Sequence, residues 1–250
     1  MNGYSIFAKY YDTLACATDF PTVAEYHILL MKKYGKDISN IVDLACGTGT
    51  LSCLYAEKGY HVTAVDLSED MLCMAQAKAD KTQIKNITFI KQDMRSFLLA
   101  QKTDAVISSF DSINHLGGIN DLNSAFAAVS DSLADGGLFI FDVNTEYKHR
   151  EILGENCFIF DMDKLYAVWQ NSFSERTKRV KLTLDFFVNE NDRYKRYTES
   201  FHETIFSEKK IEKSLLENGL TVIEKFDDFS FDMPHDESQR ITYVTAKKVV

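Results

Sequence analysis

The 250-residue sequence predicts an α/β fold, a doubly wound sheet covered by helices, which carries an inserted antiparallel β-sheet. Three observations predict it. Short apolar runs alternate with helix-length segments through the first 145 residues, and parallel strands require connections of that length. The runs are apolar along their whole length, as when both faces of a sheet are covered. From residue 158 to 206 the period changes to two and aromatic and β-branched residues accumulate, which marks antiparallel strands with one solvated face.

The elements follow in order. Phe7, Tyr10, Tyr11 and Leu14 fall at i, i+3, i+4 and i+7 and form one helical face, a stripe more often core than ligand box. Pro21, after Thr18 and Asp19, suits the first turn of a second helix ending near Gly35. Strands are expected at residues 41–44, 61–65, 87–90, 105–108 and 138–142. Ser68 caps the helix that carries Met71, Met74 and Ala75, and Asp135-Gly136-Gly137 turns the chain into the fifth strand. Beyond the period-two region, Ser207 caps a helix with apolar Ile211, Leu215 and Leu216 that stops at Gly219. Strands at residues 220–225 and 241–247 close the chain.

With only two prolines and no Gly-rich linker, the antiparallel region reads as an insertion folded onto the sheet. Residues 1–145 and 207–250 then make one domain with an N-terminal helical lid, and residues 146–206 cap it. Hydrophobic residues at 45% and charged residues at 26% argue against disorder. The net charge of −9 gives no general footprint for nucleic acid or anionic membrane, and no apolar run approaches the ~20 residues of a span. The five cysteines are odd in number and lack a C-x-x-C pair. With no leader pattern, they read as reduced thiols of a cytoplasmic protein.

The most informative stretch is Asp43-Leu-Ala-Cys-Gly-Thr-Gly-Thr50, between a strand and a helix. Gly47 and Gly49 permit a sharp turn and close approach of a ligand to the main chain. Asp66 ends the second strand, 19 residues past Gly47 (66 − 47 = 19), where a carboxylate in this fold type accepts from both hydroxyls of a ribose. A dinucleotide would need its pyrophosphate on the helix N-terminus, usually with a third glycine. Ser52 stands at that place and Asp43 adds negative charge. S-adenosylmethionine, cationic and free of phosphate, reverses the sign of that objection.

On these residues the sequence resembles the class I S-adenosylmethionine-dependent methyltransferases, whose first motif, acid-x-Gly-x-Gly-x-Gly, is matched by Asp43, Gly47 and Gly49. Ala45 stands where the first glycine often is, at little cost unless φ must be positive. The resemblance implies a seven-stranded Rossmann-like sheet of order 3-2-1-4-5-7-6 with the last strand antiparallel. It implies that Gly47 and Gly49 line the methionine part and that Asp66 holds the ribose with Leu67 against adenine. Asp93 would then meet the adenine amino group, Met94 would give a backbone contact and Met71 would pack on the base. Read without the family, Leu67 and Met71 are core, and Asp93 is a turn residue capping a following helix.

Methyl transfer from a sulfonium is an in-line displacement, and an acceptor arriving protonated needs a base near neutrality. His115, after the fourth strand, is the best-placed side chain of suitable type; a structural histidine capping a helix end is the other reading. His27, His61, His149, His202 and His235 show no metal-ligand spacing, so no metal site is expected. The Asp/Asn-Pro-Pro-aromatic pattern of adenine and amide methylation is absent, whereas residues 109–117, beginning with Ser109 on the cofactor side, look like the matching loop of amino-sugar N-methyltransferases. The N-terminus is similar to the Tyr…Tyr-Asp lid of those enzymes. That likeness implies Tyr4 toward the acceptor and Tyr11 toward the methionine end, with Phe20 replacing a tyrosine frequent in the lid. In the resembling enzymes the insertion roofs the acceptor pocket, and Tyr166, Trp169, Arg179, Tyr197 and His202 are its expected pocket residues, although alternation alone does not say which face is inward. A dimer surface is the other reading of that sheet.

The expectation is thus methyl transfer from S-adenosylmethionine to a small-molecule acceptor, at an amine nitrogen or an oxygen, by a monomer or homodimer. A tRNA or other macromolecule methyltransferase would need a basic face. A non-catalytic nucleoside-binding regulatory protein would keep the cofactor site but lack a pocket opening onto the sulfur.

Overall fold

The computed structural model of the chain describes residues 5–190 and 193–248. Its main sheet has seven strands in the order β10-β11-β5-β4-β1-β2-β3. Strands β1 (Asn40–Leu44), β2 (His61–Asp66), β3 (Ile87–Lys91), β4 (Thr103–Ser108) and β5 (Leu133–Asn144) run parallel. The C-terminal strands are β10 (Leu220–Asp227) and β11 (Arg240–Lys247), and β11 is antiparallel to both β5 and β10. Counted within this sheet the order is 3-2-1-4-5-7-6 with the last strand reversed, as expected. The strand order switches between β1 and β4, and in open α/β sheets ligands bind outside the carboxyl ends of the strands at that point.

The helices begin where the sequence places their caps. In α2 (Phe20–Tyr34), Asp19 Oδ1 accepts from the Thr22 N–H at 3.1 Å, Pro21 sits in the first turn and Gly35 ends the helix. In α4 (Glu69–Thr82), Ser68 Oγ accepts from the Met71 N–H at 3.3 Å. Helix α3 (Thr50–Glu57) starts directly from the glycine bend, and α1 (Ser5–Leu14), α5 (Ile119–Ser132) and α6 (Glu208–Glu217) complete the set. Two expectations need correction here. Ser207 precedes α6 without a side-chain capping bond, and Leu216 points outward, 58% exposed, while Ile211 and Leu215 are buried. The turn at Asp135-Gly136-Gly137 lies inside β5 as a bulge. Leu133 pairs with Thr103 before it and Leu138 with Ala105 after it, and Gly136 takes a φ of 74°.

Both faces of the sheet are covered, which accounts for its apolar strands. On one side Phe126, Ile211 and Leu215 of α5 and α6 pack on Phe139, Phe141 and Tyr243, whose rings stack at 4.6 and 4.9 Å. On the other, Leu30, Met31 and Tyr55 of α2 and α3 cover Ile41 and Ile107. Each such side chain contributes about 2–3 kcal/mol on leaving water.

Strands β6 (Cys157–Met162), β7 (Leu165–Ser174), β8 (Arg179–Glu190) and β9 (Arg193–Thr204) form a second, antiparallel sheet in chain order. Its apolar face carries Leu165, Ala167, Leu184, Phe186 and Phe201, and Phe7, Tyr10 and Leu14 of α1 pack on it. The N-terminal stripe thus packs α1 on the inserted sheet through half-buried side chains, and Phe7, Tyr11 and Leu14 also line a crevice. No helix of the described residues is long and apolar enough to cross a membrane.

Candidate functional site

The bend after β1 is built from positive φ angles: Ala45 at 62°, Gly47 at 55° and Gly49 at 71°. Ala45 therefore meets the exception expected for it, a left-handed backbone, and its Cβ costs about 1–2 kcal/mol. The two glycines serve different purposes. A Cβ on Gly49 would lie 2.7 Å from that of Ala75 in α4, whereas one on Gly47 would meet nothing within 4 Å. Gly49 permits helix packing; Gly47 faces an open crevice.

Asp66 ties this bend to the end of β2. Its Oδ2 accepts from the Gly47 N–H and its Oδ1 from the Ser68 N–H, each at 2.8 Å. Burial pushes the carboxyl upward, and those N–H groups pull it back toward the ionised form. Asp43 lies deeper, 2% exposed, and accepts from Ser52 Oγ at 2.5 Å; burial pushes it up to about 7. Ser52, buried in the first turns of α3 where a pyrophosphate loop carries its third glycine, is held by this bond to Asp43. Asp43 borders only a small annex of ≈ 50 Å³ beside Gly47, shared with Tyr11, Ser109 and Phe110.

The main crevice, ≈ 710 Å³, runs from Ala45, Gly47 and Asp66 past Leu67, Met71, Asp93 and Met94 to His115 and the inserted sheet. Leu67 is 61% exposed at its edge, so it is not core, while Met71 is buried in its floor. Asp93 is clamped by Arg95, whose Nη2 donates to Oδ2 at 2.6 Å and whose backbone N–H donates to Oδ1 at 2.9 Å. The guanidinium holds this carboxyl below its usual range. A turn rather than a helix follows Asp93. Tyr11 lines both cavities, its hydroxyl pushed up by burial and then by Asp111. Asp12, one residue on, accepts from Thr48 Oγ1 at 2.6 Å and pairs with Lys78 at 2.9 Å, which fastens α1 to the glycine bend.

His115 ends a 3₁₀ turn, Ser112–His115, with its ring edge-on to Phe201 at 6.4 Å. Two carboxylates that the sequence did not single out join it. Asp111, His115 and Glu203 each offer an atom within 4.8 Å of the others. Phe110 and Asp111 adopt consecutive positive φ angles of 57° and 55°, a strain that persists only where surroundings enforce it. Their N–H groups donate to Asp142 Oδ1 at 2.7 Å and Oδ2 at 2.8 Å. Arg240 donates to Asp142 and, at 2.9 Å, to Asp111 Oδ1. Glu203 is 2% exposed and accepts from Asn144 Nδ2 at 3.1 Å. Its other partner is His149, with Nε2 at 2.8 Å, while His149 Nδ1 lies 2.7 Å from the Thr145 carbonyl. Both nitrogens of His149 face acceptors, and against the opposing effect of burial the hydrogen bonds from His149 and Asn144 hold the Glu203 carboxyl below its ordinary range.

Of the residues expected from the inserted sheet, only Trp169 lines the crevice, its Nε1–H donating to Asn171 Oδ1 at 2.7 Å. Tyr166 and His202 lie on the opposite face, between buried Leu165 and Ala167 and between Phe201 and Glu203. Tyr197 packs in the insertion's core and donates to Glu190 at 3.0 Å, and Arg179 clasps the Gly117 carbonyl without lining the crevice. Tyr4 lies outside the described residues. Phe160, Leu182, Leu184, Phe201 and Glu203 are the insertion's lining residues that alternation did not single out.

The comparisons with known proteins agree with this geometry. A family described as "Methyltransferase domain" matches residues 41–137. A putative methyltransferase of Geobacillus sp. (strain WCH70) is 31% identical over 98% of this chain and 99% of its own length. The crystal structure of a S-adenosylmethionine-dependent methyltransferase from Clostridium acetobutylicum superposes with a TM-score of 0.89 at 33% identity, covering 99% of this chain and 100% of that one. A Streptomyces venezuelae dTDP-3-amino-3,4,6-trideoxy-alpha-D-glucopyranose N,N-dimethyltransferase is 31% identical over 45% of this chain and 46% of its own.

Proposed function

Because the chain belongs to the S-adenosylmethionine-dependent methyltransferases, we propose that it methylates a small-molecule acceptor at an amine nitrogen or an oxygen, with His115 as the general base. The observation that carries this reading is the continuity of the crevice from Gly47 and Asp66 to His115 beneath the inserted sheet. A non-catalytic nucleoside-binding protein has no use for that second half. The roof of Phe160, Trp169, Leu182 and Leu184 suits a compact acceptor, and the Streptomyces relative acts on an amino sugar by its name. Five free cysteines fit a reducing cytoplasm.

The residues present fit the cofactor. Gly47 leaves the bend open, Asp66 keeps lone pairs beyond the two it gives to backbone N–H groups, and Asp43 favours a cationic tail over a phosphate. S-adenosylmethionine, when bound, supplies a methyl group on a cationic sulfur. In this reading Asp66 holds the ribose, and Leu67, Met71 and Met94 enclose the base. Asp93 meets the adenine amino group in competition with Arg95. Gly47, Ala45, Ser109 and Tyr11 surround the methionine end. His115 takes the acceptor's proton, and the apolar roof excludes water. Such positioning can supply ~7–11 kcal/mol of a displacement barrier.

The test is transfer of a labelled methyl group to a panel of amines, amino sugars and phenols, by wild type and His115→Ala. Loss of turnover with retained cofactor affinity is the expected result for His115→Ala. Asp66→Ala weakens calorimetric binding of S-adenosylhomocysteine by roughly 1–3 kcal/mol, as for hydrogen bonds left unmade. Unchanged affinity in that variant counts against the ribose assignment.

A further inference from the structure

The crevice ends in an acid pair that general-base chemistry by His115 does not require. Asp111 and Glu203 come from the loop after β4 and from the end of β9, and each is held from behind through one oxygen only. Arg240 takes Asp111 Oδ1, while His149 and Asn144 take Glu203 Oε2. Asp111 Oδ2 and Glu203 Oε1 are left for the crevice that both residues line. Glu203 is almost wholly removed from water, so a ligand that meets its second oxygen in the crevice gains most by donating a hydrogen bond to it.

We propose that Asp111 and Glu203, with His115 between them, form a cation subsite that takes the methyl acceptor as an ammonium ion and excludes neutral hydroxyl and anionic carboxylate acceptors. The inference rests on the methyltransferase reading above and narrows its acceptor to basic amines. Atoms within 4.8 Å of one another are within reach of a single ammonium donating bonds of ~2.7–2.9 Å. A divalent metal suits the place less well, because each carboxylate offers the crevice a single oxygen and Arg240 and Lys148 already stand behind the pair. The aromatic walls, Phe160, Trp169 and Phe201, also favour a cation. A neutral hydroxyl would forgo the charge-assisted hydrogen bonds that an ammonium makes to the two remaining oxygens.

The step balances. The acceptor R–NH₃⁺ gives one proton to His115. The freed lone pair on nitrogen forms the new C–N bond as the C–S bond breaks, and the electron pair of that bond stays on sulfur. The product R–NH₂–CH₃⁺ keeps one positive charge, so Asp111 and Glu203 face a cation before and after transfer, and repulsion between acceptor and sulfonium is offset throughout.

Trp169 is the only tryptophan of the chain and lines the crevice, so its fluorescence reports occupancy. The experiment titrates cyclohexylamine and its isostere cyclohexanol into protein loaded with S-adenosylhomocysteine at neutral pH, where the amine is protonated. Wild type is expected to bind the amine at least ~10-fold more tightly than the alcohol, and Glu203→Gln and Asp111→Asn each to lose at least ~10-fold for the amine and less than ~2-fold for the alcohol. Equal binding of the two probes by wild type overturns the proposal, as does unchanged amine binding in a variant that melts like wild type, or displacement of the amine by zinc chloride. If Glu203→Gln does not fold, Asp111→Asn decides. Failure of S-adenosylhomocysteine to bind strikes the cofactor reading instead, and the amine–alcohol comparison on unloaded protein then decides the subsite by itself.

Discussion

Alanine in place of each glycine of the bend separates packing from access. At Gly49 the new Cβ would meet the Ala75 Cβ at 2.7 Å and its Cα at 3.3 Å, at a φ of 71°. Left-handed strain costs about 1–2 kcal/mol, and overpacking a tight contact adds typically about 1–3 kcal/mol. The Ala75 backbone belongs to α4 and does not yield as the end of a flexible side chain would, so Gly49→Ala is expected to lose about 2–5 kcal/mol. At Gly47 the φ of 55° carries the strain alone, with nothing within 4 Å of the added carbon, and the expected loss is about 1–2 kcal/mol. Cofactor affinity divides the other way. Gly47 lines the crevice and Gly49 does not, so folded Gly47→Ala should bind S-adenosylhomocysteine at least ~10-fold more weakly, while whatever Gly49→Ala remains folded should bind nearly as wild type. Urea unfolding and calorimetric titration on the two variants read both quantities. Equal stability losses would refute the packing role of Gly49, and unaltered affinity in Gly47→Ala would refute the placement of ligand against the bend.

Three further outcomes follow from named contacts. Ala45→Gly relieves a φ of 62° worth about 1–2 kcal/mol and gives back roughly 0.5–1 kcal/mol of chain entropy, so thermal melting should rise by about 2 °C; a fall would mean that the Ala45 methyl packs usefully. Asp43, raised to about 7 by burial against an unfolded value near ~3.9, contributes stability that is fully present below about pH 4 and is lost as pH rises through about 7. Urea midpoints between pH 4.5 and 8 should therefore slope downward in wild type, and the slope should flatten in Asp43→Asn. Arg240→Met removes the buried cation that bridges Asp142 and Asp111 and is expected to cost about 3–5 kcal/mol by leaving charge uncompensated; a loss under ~1 kcal/mol in urea unfolding would show that this bridge does not hold the site together.

The central parallel strands were legible because they are buried on both faces, so hydrophobicity alone marks residues such as Val62, Ala64 and Val65, whereas the edge strand β3 is only half-buried. Their ends were less so. Thr103 and Asp104 extend β4 through polar pairing, with the Asp104 carboxylate accepting from the Ser39 and Asn40 N–H groups at 2.9 and 2.8 Å, which no apolar run announces. The nucleoside half of the site was readable for a similar reason. Gly47, Gly49 and Asp66 do their work through local backbone geometry, and that geometry is written in residue type and spacing. In the insertion, period two fixes which residues share a face but leaves open which face turns inward, so Tyr166 and His202 fell on the wrong side while Phe201 and Glu203 fell on the right one. Asp111 stands four residues before His115 and was within reach of the spacing. Its partner Glu203 is 92 residues away (203 − 111 = 92), and no local pattern connects them.

The reversed strand β11 explains how a C-terminal residue takes part in this site. Ligands lie at the carboxyl ends of parallel strands, so a parallel β11 would bring its last residues there and leave Arg240 at the far edge. Running antiparallel, β11 sets its first residue beside the last residue of β5, Arg240 opposite Asn144, and Thr242 opposite Asp142. Arg240 then reaches both Asp142 and Asp111, and the strained Phe110–Asp111 turn has an acceptor for its two N–H groups and a cation behind that acceptor. Asn144, at the end of the same β5, donates to Glu203 through Nδ2, while its backbone N–H donates to Asn114 Oδ1 at 2.9 Å. Strand direction thus gathers the supports of both carboxylates at one edge of the sheet, where the glycine bend has already placed the cofactor half of the crevice.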